Sequence, residues 1–523
     1  MSNLARCTFI FHVLICGWPL LVWGQPDVLS ALPEAHNLAG MSVVSRCGDA
    51  VSIQVHLGQR DIDRDLPIDE NTTFRVASIS KGVVALVVAK LVENNQLDYD
   101  APLGNYLDAP PVHPNHPDDA ITLNHLLTHT SGIRDGSGYG AFLSASYADI
   151  PSVPTLNSVL DPGGEFHTSD MWGSAAPGEW FQYANLNFGV LATVMEAATG
   201  MRFDHIMEDH LFGPYGIDAG YRVQDLDNID DLAVLYRQYD GEWVPQADHH
   251  QGVTPVGPNW SAYIPGINAV CFSPQGGLRI GTEDLTVLAR LWSSGAASGA
   301  DGLPLPYLTS ESLSNLKAAQ WTHDTSGGGN GNNYYGLFNA WARGLHLAAS
   351  GSGDDEIVPD VSTSPFVGHP GEAYGLISDA YATPGGEWNF AFATNGKWDG
   401  FSTGAASAFY ALEQDVFSAL REDLLGCLTA SSTVSDPLTV HPIGRHRAGD
   451  TTLRLGIPPG WSGPLTVRLL DASGREAIRS VGAPQRSGIL HLSTPPLLGG
   501  WSIGAISGEE GMPLGRFLLV VEQ

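Results

Sequence analysis

The sequence predicts a mixed α/β domain followed by a small all-β module. Two observations lead to this prediction. Residues 78–94 are rich in Val, Ala and Leu and apolar on nearly every side of a helix, which is typical of a helix inside a core. From residue 438 to residue 523 only short alternating strand runs and turns occur, and this pattern predicts a β-sandwich.

Length and charge narrow the class of protein. A chain of 523 residues holds more than one domain. A hydrophobic fraction of 43% is typical of a globular protein with a buried core. The net charge of −31 comes from 56 acidic and 25 basic residues, and it repels nucleic acid and anionic membranes. The sequence therefore predicts neither of them as a partner.

The N-terminus resembles a secretory signal peptide. Arg6 precedes a mostly apolar run over residues 9–23, and the small residue Gly24 follows. The run is shorter than the roughly 20 apolar residues that a spanning helix needs, so no membrane span is predicted. We expect residues 1–24 to be removed and the mature protein to be secreted, periplasmic or displayed at the cell surface.

Three cysteines remain after this cleavage, namely Cys47, Cys271 and Cys427. Export permits a disulfide, but three cysteines cannot all pair, and the sequence does not select a pair. None of them has a nucleophile-like context, so we expect them to be structural.

Periodicity and turn signals predict the other elements of the first domain. A leading helix over residues 25–40 precedes a hairpin with strands at 41–46 and 51–58. Short helices alternate with Pro- and Gly-rich loops over residues 100–240. The later predictions are a helix over 283–293, strands at 336–345, 373–379 and 388–394, and a helix over 405–425.

Two polar loops carry side chains that can bind metals. Residues 61–69 form an acidic loop, and His113, His116 and Asp119 lie in another. Calcium or zinc uses such ligands, but ordinary solvated loops account for both patterns. The sequence therefore predicts no metal site.

A Ser-x-x-Lys pattern opens the buried helix. Ser78 and Lys81 are three residues apart, so their side chains share one side of the helix. The ammonium and the helix N-terminus both stabilise an alkoxide-like nucleophile, and a buried lysine that loses its proton can act as a base. The spacing alone is weak evidence, because Ser314 and Lys317 repeat it in a predicted solvated helix.

Further segments follow this pattern in a defined order across about residues 38–425. They are Phe-Arg-Val-Ala-Ser-Ile-Ser-Lys at 74–81, Thr-Leu-Asn-His-Leu-Leu-Thr-His-Thr-Ser-Gly at 122–132, Pro-Gly at 177–178, Tyr-Ala-Asn-Leu-Asn-Phe at 183–188 and Ser-Pro-Gln-Gly-Gly-Leu at 273–278. This series resembles the class C β-lactamase-like family of serine hydrolases, which includes penicillin-binding carboxypeptidases, D-aminopeptidases and esterases. The resemblance implies a β-lactamase-like fold, in which an antiparallel sheet carries helices on both faces and a helical subdomain adjoins it. Residues 25–430 would form this domain and residues 436–523 the β-sandwich.

The resemblance also implies roles for individual residues. Ser78 would attack the carbonyl carbon, and Lys81 and Tyr183 would share the proton as general base and then general acid. Asn185 would hydrogen-bond the amide or ester side of the substrate. The resemblance does not make His125 or His129 catalytic, and both are expected to be structural. No metal or organic cofactor is implied.

His369-Pro370-Gly371 stands where the family carries Lys-Thr-Gly or His-x-Gly. His369 and Gly371 would contribute to substrate binding, with the glycine allowing the substrate to approach the backbone. The amides of Ser78 and Glu372 would form the oxyanion hole. Pro370 lacks the family hydroxyl and Glu372 adds a carboxylate, so the site is poorly charged for gripping a carboxylate. An ester or a less anionic peptide is therefore the expected substrate.

The tail resembles the C-terminal sorting domain of type IX secretion cargo. The matching residues are 465–471, 474–476, 498–501 and 517–522. This resemblance implies secretion machinery as a partner. An accessory sandwich without a sorting role is the alternative.

Three functions remain open at this point. The first is a secreted serine hydrolase that acts through an acyl-enzyme on a small-molecule ester, amide or peptide. The second is a β-lactamase, a D-Ala-D-Ala carboxypeptidase or a D-aminopeptidase. The third is an inactive surface binding protein on the same fold. The joint presence of Ser78, Lys81, Tyr183 and Asn185 favours an enzyme.

Overall fold

A computed structural model describes residues 25–433, apart from the short segments 149–152, 327–328, 335, 349–354, 359–360, 362–364, 399–402 and 405–407, together with the strands between residues 441 and 522. The predicted signal peptide lies outside the described residues. The chain divides into two compact units, residues 1–427 and 428–523. In the described part of the chain, none of the helices combines the length and apolar character that crossing a membrane requires.

The helices of the described residues include both long core helices and single turns. In chain order they are α1 Gln25–Ala35, α2 Ile79–Glu93, α3 Leu123–Leu127, α4 Tyr139–Ala148, α5 Asn157–Leu160, α6 Leu186–Thr199, α7 Phe203–Met207, α8 Gly213–Tyr215, α9 Thr282–Ser294, α10 Ser310–Lys317 and α11 Ala411–Thr433.

The strands of the first unit come from both ends of its sequence. They are β1 Leu38–Cys47, β2 Ala50–Asp61, β3 Leu66–Pro67, β4 Thr73–Arg75, β5 Ala219–Gly220, β6 Leu235–Tyr239, β7 Glu242–Ala247, β8 Arg279–Gly281, β9 Ala296–Ser298, β10 Pro304–Pro306, β11 Trp321–Thr322, β12 Ala340–Trp341, β13 His346–Ala348, β14 Phe366–Ala373, β15 Leu376–Ala382 and β16 Trp388–Trp398.

The main sheet joins the N-terminal hairpin to the last strands of the unit. Its order is β11-β12-β13-β14-β15-β16-β1-β2-β3, and β6 adds a parallel pairing to β16. The predicted hairpin is confirmed as β1 and β2, and β1 pairs antiparallel with β16. A separate small sheet, β4-β8-β5, leads into α2.

Helices cover both faces of the main sheet. Ser42 of β1 hydrogen-bonds Thr282 of α9 at 2.6 Å. Ser45 on the same strand donates to Asp423 of α11 at 2.7 Å. Residues 42 and 45 lie on opposite faces of a strand, because side chains alternate with a period of two. The predicted layered α/β architecture is therefore present.

The helix α2 forms the centre of the core. Its residues from Ile79 to Ala89 are buried, and Val83, Val84 and Leu86 have no exposed surface. The prediction of a core helix that begins at Ser78 is confirmed, since Ser78 is the N-cap residue. A lysine inside this apolar helix is therefore placed at a substantial desolvation cost.

Several predicted boundaries are wrong, and turn residues explain why. The predicted strand 373–379 spans the turn between β14 and β15, where Tyr374 and Gly375 both have positive φ. The run 336–345 contains only β12, because Gly336 and Gly344 bend the chain at positive φ. The leading helix ends at Ala35 rather than residue 40, and α11 begins at Ala411 rather than residue 405.

The structure selects the disulfide that the sequence left open. Cys47, at the end of β1, is bonded to Cys427 of α11, with a Cα–Cα distance of 5.5 Å. Cys271 is a free, partly buried thiol. The bond joins two segments 380 residues apart.

The second unit is built from strands, as the sequence predicts. They are β17 His441–Pro442, β18 His446–Arg447, β19 Thr452–Gly456, β20 Leu465–Leu470, β21 Glu476–Gly482, β22 Ile489–Ser493, β23 Gly500–Ser507 and β24 Pro513–Glu522. They form one sheet in the order β17-β19-β22 and another in the order β18-β24-β23-β20-β21. Residues 471, 474–475 and 498–499 of the sorting-domain resemblance lie outside the described residues.

Candidate active site

The nucleophile candidate stands at a sharp turn between β4 and α2. Ala77, which precedes Ser78, has a φ of 47° and is buried. A non-glycine residue in this region costs about 1–3 kcal/mol and persists only where the surrounding structure enforces it. The turn places Ser78 at the N-terminus of α2, where the helix dipole favours negative charge.

Lys81 contacts Ser78 directly. Its Nζ donates to Ser78 Oγ at 2.9 Å and to the backbone oxygen of Gln275 at 2.6 Å. The side chain has no exposed surface. Burial lowers the pKa of Lys81 to about 7, although the nearby Asp135 opposes this shift. The amine is therefore partly unprotonated at neutral pH and able to accept a proton.

Tyr183 completes the cluster around Ser78. Its hydroxyl lies close to Ser78, Lys81 Nζ is 4.9 Å from the centre of its ring, and burial raises the pKa of Tyr183 well above its ordinary value. The ring lies between His129, at a centroid distance of 4.3 Å, and Phe338, at 5.2 Å. The phenol is therefore held rigidly and stays protonated at neutral pH.

The segment over residues 122–132 holds the turn that carries Tyr183. His129 Nδ1 accepts from the backbone N–H of Ala184 at 3.2 Å. Ser131 Oγ donates to Asn187 Oδ1 at 2.6 Å. Burial lowers the pKa of His129 well below its ordinary value. The two most specific sequence segments thus pack against each other, and His129 supports Tyr183 as a neutral ring.

Asn185 is bound to a carboxylate that sequence reasoning missed. Its Nδ2 donates to Asp135 Oδ2 at 2.8 Å, and its backbone N–H donates to the same oxygen at 2.7 Å. The N–H of Leu186 donates to Asp135 Oδ1 at 3.0 Å. Burial raises the pKa of Asp135, while these hydrogen bonds and Lys81 oppose the rise.

His369 lies against the aromatic cluster. Its ring has no exposed surface and is 5.3 Å from the ring of Trp341. Its Nδ1 hydrogen-bonds the backbone oxygen of Pro370 at 2.5 Å, so that nitrogen is the donor. Burial, with Lys81 nearby, lowers the pKa of His369 well below its ordinary value. This neutral, buried ring lies on β14 and lines the cavity beside Ser78, and its part in substrate binding stays a prediction.

Gly371 lets β14 approach the nucleophile turn. A Cβ at this position would lie 2.5 Å from the backbone oxygen of Val76 and 3.3 Å from the backbone nitrogen of Ser78. The close approach of the protein's own backbone therefore requires glycine here. Gly371 also lines the cavity, and a close approach of the substrate to it stays a prediction.

The amide of Glu372 faces away from β15. Glu372 pairs with Ile377, whose N–H donates instead to Thr394 on the next strand at 3.0 Å. In an antiparallel ladder both members of such a pair direct their amides outward. The nitrogen of Pro370, two residues earlier, also points away from β15. The missing N–H of proline therefore costs no hydrogen bond between β14 and β15. Since β13 pairs only with residues 366–368, the Glu372 N–H faces an edge that β13 leaves free.

A cavity of about 630 Å³ lies beside Ser78 and is also lined by Tyr183, Asn185, His369, Gly371 and Glu372. Its walls are mostly aromatic or apolar. They include Tyr139, Leu143, Tyr147, Tyr334, Leu337, Phe338, Tyr374, Ile377, Phe409 and Tyr410. The ionisable side chains that also line it are Arg75, Glu372 and Glu413. Arg75 lies over the Tyr374 ring at 5.0 Å, and the Glu372 carboxylate accepts from the Tyr410 hydroxyl at 2.7 Å. The cavity has the size and lining of a small-molecule site.

Sequence reasoning missed the roles of Asp135, Gln275 and Phe338. Asp135 lies three residues after the 122–132 segment, and this position is the one feature of the sequence that could have pointed to its role. Gln275 contributes its backbone carbonyl, and any residue type could supply that group, so the sequence gives no signal for it. Phe338 meets Tyr183 only through the tertiary fold. Within the described ranges, no group of three His, Cys, Asp or Glu side chains is arranged to hold a metal.

The sequence of this chain matches one known protein family. The sequence profile described as Beta-lactamase matches residues 27–412. Esterase EstB of Burkholderia gladioli is 30% identical over 204 residues, which are 36% of this chain and 49% of that protein. Penicillin-binding protein 4* of Bacillus subtilis is 26% identical over 191 residues, which are 36% of this chain and 39% of that protein. The matched stretch is thus less than half the length of either relative.

A solved structure shows the same fold. EstCE1, described as a hydrolase with promiscuous acyltransferase activity, superposes with a TM-score of 0.53 at 17% identity. The superposition covers 76% of this chain and 97% of that one.

Proposed function

Because the chain belongs to the beta-lactamase family, we propose that it is a serine hydrolase that cleaves ester or amide bonds through an acyl-enzyme on Ser78. The fold predicted from the sequence is that of this family. The observation that carries the proposal is the 2.9 Å hydrogen bond from Lys81 Nζ to Ser78 Oγ at the N-terminus of a buried helix.

Acylation begins with proton transfer from Ser78. The neutral form of Lys81 accepts the hydroxyl proton while Ser78 Oγ attacks the carbonyl carbon. The lowered pKa of Lys81 and the raised pKa of Tyr183 fit a division of labour, in which the amine is the base and the phenol the proton donor. Tyr183 protonates the leaving group as the carbonyl–heteroatom bond breaks, and Lys81 returns a proton to the phenolate.

Deacylation reverses these proton movements. A water molecule attacks the ester of Ser78, and Lys81 accepts its proton. The bond between Ser78 Oγ and the acyl carbon then breaks, and Oγ recovers a proton. The products are a free acid and the alcohol or amine released in the first step.

The oxyanion that forms in both steps needs hydrogen-bond donors. The backbone N–H groups of Ser78 and Glu372 are the proposed donors. Gly371 keeps β14 close to the nucleophile turn, and the Glu372 amide faces the free edge there. Removing one such donor typically costs about 10²–10³ in rate.

The cavity favours an uncharged or mildly polar acyl group. Its aromatic lining stabilises apolar groups by burial, and Glu372 repels anions at one side. An ester or a small amide is therefore the leading substrate class. The name of the relative EstB describes an esterase, and its extension to this chain is part of the proposal.

A second candidate is a β-lactamase or a peptidase for D-Ala peptides, and Arg75 favours it. Among the described residues no carboxylate pairs with this guanidinium, which donates only to the backbone oxygen of Gly276 at 3.2 Å. Such a cation in the cavity wall is available to a substrate carboxylate. In the sequence, we looked for a positive charge only in the segment that begins at His369. We therefore did not count Arg75, which lies three residues before Ser78.

A labelling test separates these candidates from an inactive binding protein. Mature protein is treated with a fluorophosphonate, with labelled penicillin, and with a panel of 4-nitrophenyl esters and 4-nitroanilides. Ser78-dependent fluorophosphonate labelling and ester turnover support the leading proposal. Penicillin labelling that is lost in Ser78→Ala supports the second candidate. Folded protein that reacts with none of these probes contradicts both and leaves the binding protein.

Export belongs to the proposal as well. We propose that residues 1–24 direct secretion and that residues 436–523 engage secretion machinery, which leaves the enzyme outside the cytoplasm or at the cell surface. The disulfide between Cys47 and Cys427 suits an oxidising compartment. Deletion of residues 436–523 should retain the enzyme inside the cell, while an unaltered surface yield would contradict the sorting role.

A further inference from the structure

A second cavity of the first unit contains a guanidinium that the protein itself does not neutralise. This cavity has a volume of about 330 Å³ and shares no described lining residue with the cavity beside Ser78. Small residues at 132 and 173–175 form part of its wall, together with Arg134, Trp180, Gln182 and Asn332. We call it the Arg134 cavity. Among its described lining residues none is acidic.

The Arg134 side chain is partly buried and has no acceptor within the described part of the chain. Its Nε is buried without a hydrogen-bond partner, and no carboxylate pairs with the guanidinium. The chain has 56 acidic residues for 25 basic ones, so carboxylates are plentiful. Other arginines do find one, for example Arg46 with Glu283 at 2.8 Å and Arg279 with Asp248 at 2.7 Å. The guanidinium of Arg134 therefore keeps its capacity to bind an added acceptor.

The acidic residues that adjoin the lining in the sequence are bound elsewhere. Asp135 accepts from two backbone N–H groups at the start of α6. Asp170 accepts from the N–H of Ser137 at 2.9 Å. Glu179 accepts from the N–H of Ala176 at 3.2 Å. None of the three forms an ion pair with Arg134 in the described structure, so the positive charge in the cavity wall is not compensated.

Gly173 makes room for the guanidinium. A Cβ at this position would lie 3.2 Å from Arg134 Nε and 3.3 Å from Arg134 Nη2. The two residues are also held by the backbone. The N–H of Gly173 donates to the oxygen of Gly132 at 2.7 Å, and the N–H of Arg134 donates to the oxygen of Met171 at 2.9 Å. The side chain thus lies in a space that only glycine leaves open.

Trp180 and Gln182 line the same cavity because the chain between them is extended. Phe181 forms an isolated bridge with Gly331 and buries its ring against Trp321. Residues 180 and 182 therefore share the opposite face of this segment. Trp180 is 37% exposed, so a large apolar face is available in the cavity wall.

Asn332 adds hydrogen-bond donors. Its Oδ1 accepts from the N–H of Tyr334 at 2.9 Å, and in the described structure its Nδ2 has no acceptor. Together with the guanidinium, this amide gives the cavity donors that carry no partner and an aromatic face beside them. Such a set suits a ligand with oxygen acceptors on a ring.

We propose that the Arg134 cavity binds a small molecule in which a carboxylate is attached to a six-membered ring. The planar fork of the guanidinium matches the two oxygens of a carboxylate, and Trp180 packs against the ring of the ligand. The net charge of −31 repels polyanions, so a ligand with a single carboxylate is the class that fits. Aromatic acids and sugar acids share this chemistry. The site does not depend on the chemistry at Ser78.

The test measures the dissociation constants of two matched pairs of probes by ligand-observed NMR titration. Benzoate and glucuronate carry a carboxylate on a ring, and benzamide and glucose are their uncharged counterparts. The protein carries Ser78→Ala, so that acylation cannot contribute. At least one of the two acids should bind about tenfold or more tightly than its uncharged counterpart, because hydrogen bonds to a charged group are the stronger ones. The acid that binds identifies the aromatic or the sugar source.

Two further substitutions alter the guanidinium by different routes. Arg134→Gln removes its charge and should weaken binding of the acid about tenfold or more. Gly173→Ala keeps the charge but displaces the side chain, and should weaken binding about threefold or more. Arg421→Gln is the matched control, because it removes an exposed guanidinium of α11 outside the described cavity lining and should change binding less than about twofold. Circular dichroism verifies the fold of each variant.

Each outcome decides the inference. Acid binding that Arg134→Gln weakens and Arg421→Gln retains supports it. Equal affinity for the acids and their uncharged counterparts, or no detectable binding of either acid, overturns it. Acid binding that Arg134→Gln leaves unchanged also overturns it and favours the other cavity, where Arg75 lies. If Arg134→Gln does not fold, weakened binding in Gly173→Ala supports the site and unchanged binding overturns it. The proposed hydrolase function is unaffected by any of these results, since labelling of Ser78 tests it separately.

Discussion

The chain contains two Ser-x-x-Lys sequences on helices, and they differ in almost every physical respect. Ser78 is the N-cap of α2, and Lys81 has no exposed surface and donates to Ser78 Oγ. Ser314 lies in the second half of α10 and is exposed. Lys317 directs its Nζ to the backbone oxygens of Ser293 and Pro384, at 2.5 and 2.7 Å.

The comparison shows that spacing supplies only proximity along a helix. Ser78 gains the positive end of a helix dipole and a desolvated amine. Ser314 is exposed to solvent in the second half of its helix, and its lysine binds the last turn of α9 and the loop that contains Pro384. Chemistry at the first pair therefore depends on burial and on position in the helix rather than on the motif.

Replacing the two serines should give the largest contrast. Ser78→Ala removes the nucleophile and should lower kcat/KM for esters by about 10³-fold or more. Ser314→Ala should change it less than twofold, since the hydroxyl is exposed. Steady-state ester hydrolysis measures both, with circular dichroism to verify folding. Equal losses in the two variants would contradict the assignment.

Replacing the two lysines sharpens the contrast between base and structural cation. Lys81→Met keeps the volume of the side chain but removes the base, and kcat should fall about 10²–10⁴-fold. Lys317→Met should leave kcat unchanged and lower the melting temperature, because the carbonyls of Ser293 and Pro384 lose their donor. Calorimetry and ester kinetics on both variants measure these effects. Full activity of Lys81→Met would rule out the lysine as base.

The pH dependence tests the protonation state of Lys81. Its pKa is lowered to about 7 by burial, and only the neutral amine accepts a proton. As pH falls below this value the neutral fraction falls, so kcat/KM should approach a tenfold drop per unit and fall about 50-fold between pH 7 and pH 5. It should level off above pH 8. A rate that is constant over pH 5–8, in protein that stays folded, would contradict this role.

The smallest predicted effect concerns the glycine beside Ser78. Gly371→Ala places a Cβ 2.5 Å from the Val76 oxygen, which moves β14 away from the nucleophile turn. A displaced oxyanion donor should cost about tenfold or more in kcat. Gly140→Ala is the control, because Gly140 lies in α4 with no atom within 4 Å of its Cβ position and should be neutral or slightly stabilising. Ester kinetics and thermal unfolding compare the two variants.

Local signals were enough to predict the elements whose pattern is strong. The hairpin β1–β2 and the core helix α2 follow from alternation and from an apolar run. The turn between β14 and β15 was missed, because Tyr374 has a positive φ, which is uncommon for a tyrosine and is not predicted from the residue type. The strand over residues 336–345 was wrong for a similar reason, since its two glycines interrupt pairing.

Groups brought together from distant parts of the chain could not be predicted in the same way. Asp135 acts on Asn185 from 50 residues away, and Gln275 acts on Lys81 through a backbone atom 194 residues away. The disulfide partner of Cys47 is separated from it by 380 residues. Such contacts depend on tertiary packing, which a single sequence does not encode at any one position.

The most direct test of the account is to map the covalent adduct. Mature protein is labelled with a fluorophosphonate and with a slowly hydrolysed 4-nitrophenyl ester, digested, and analysed by tandem mass spectrometry. The account predicts that both probes modify Ser78 and that neither modifies Ser314. A label on Ser314 or on any other residue, with Ser78 unmodified in folded protein, would contradict it.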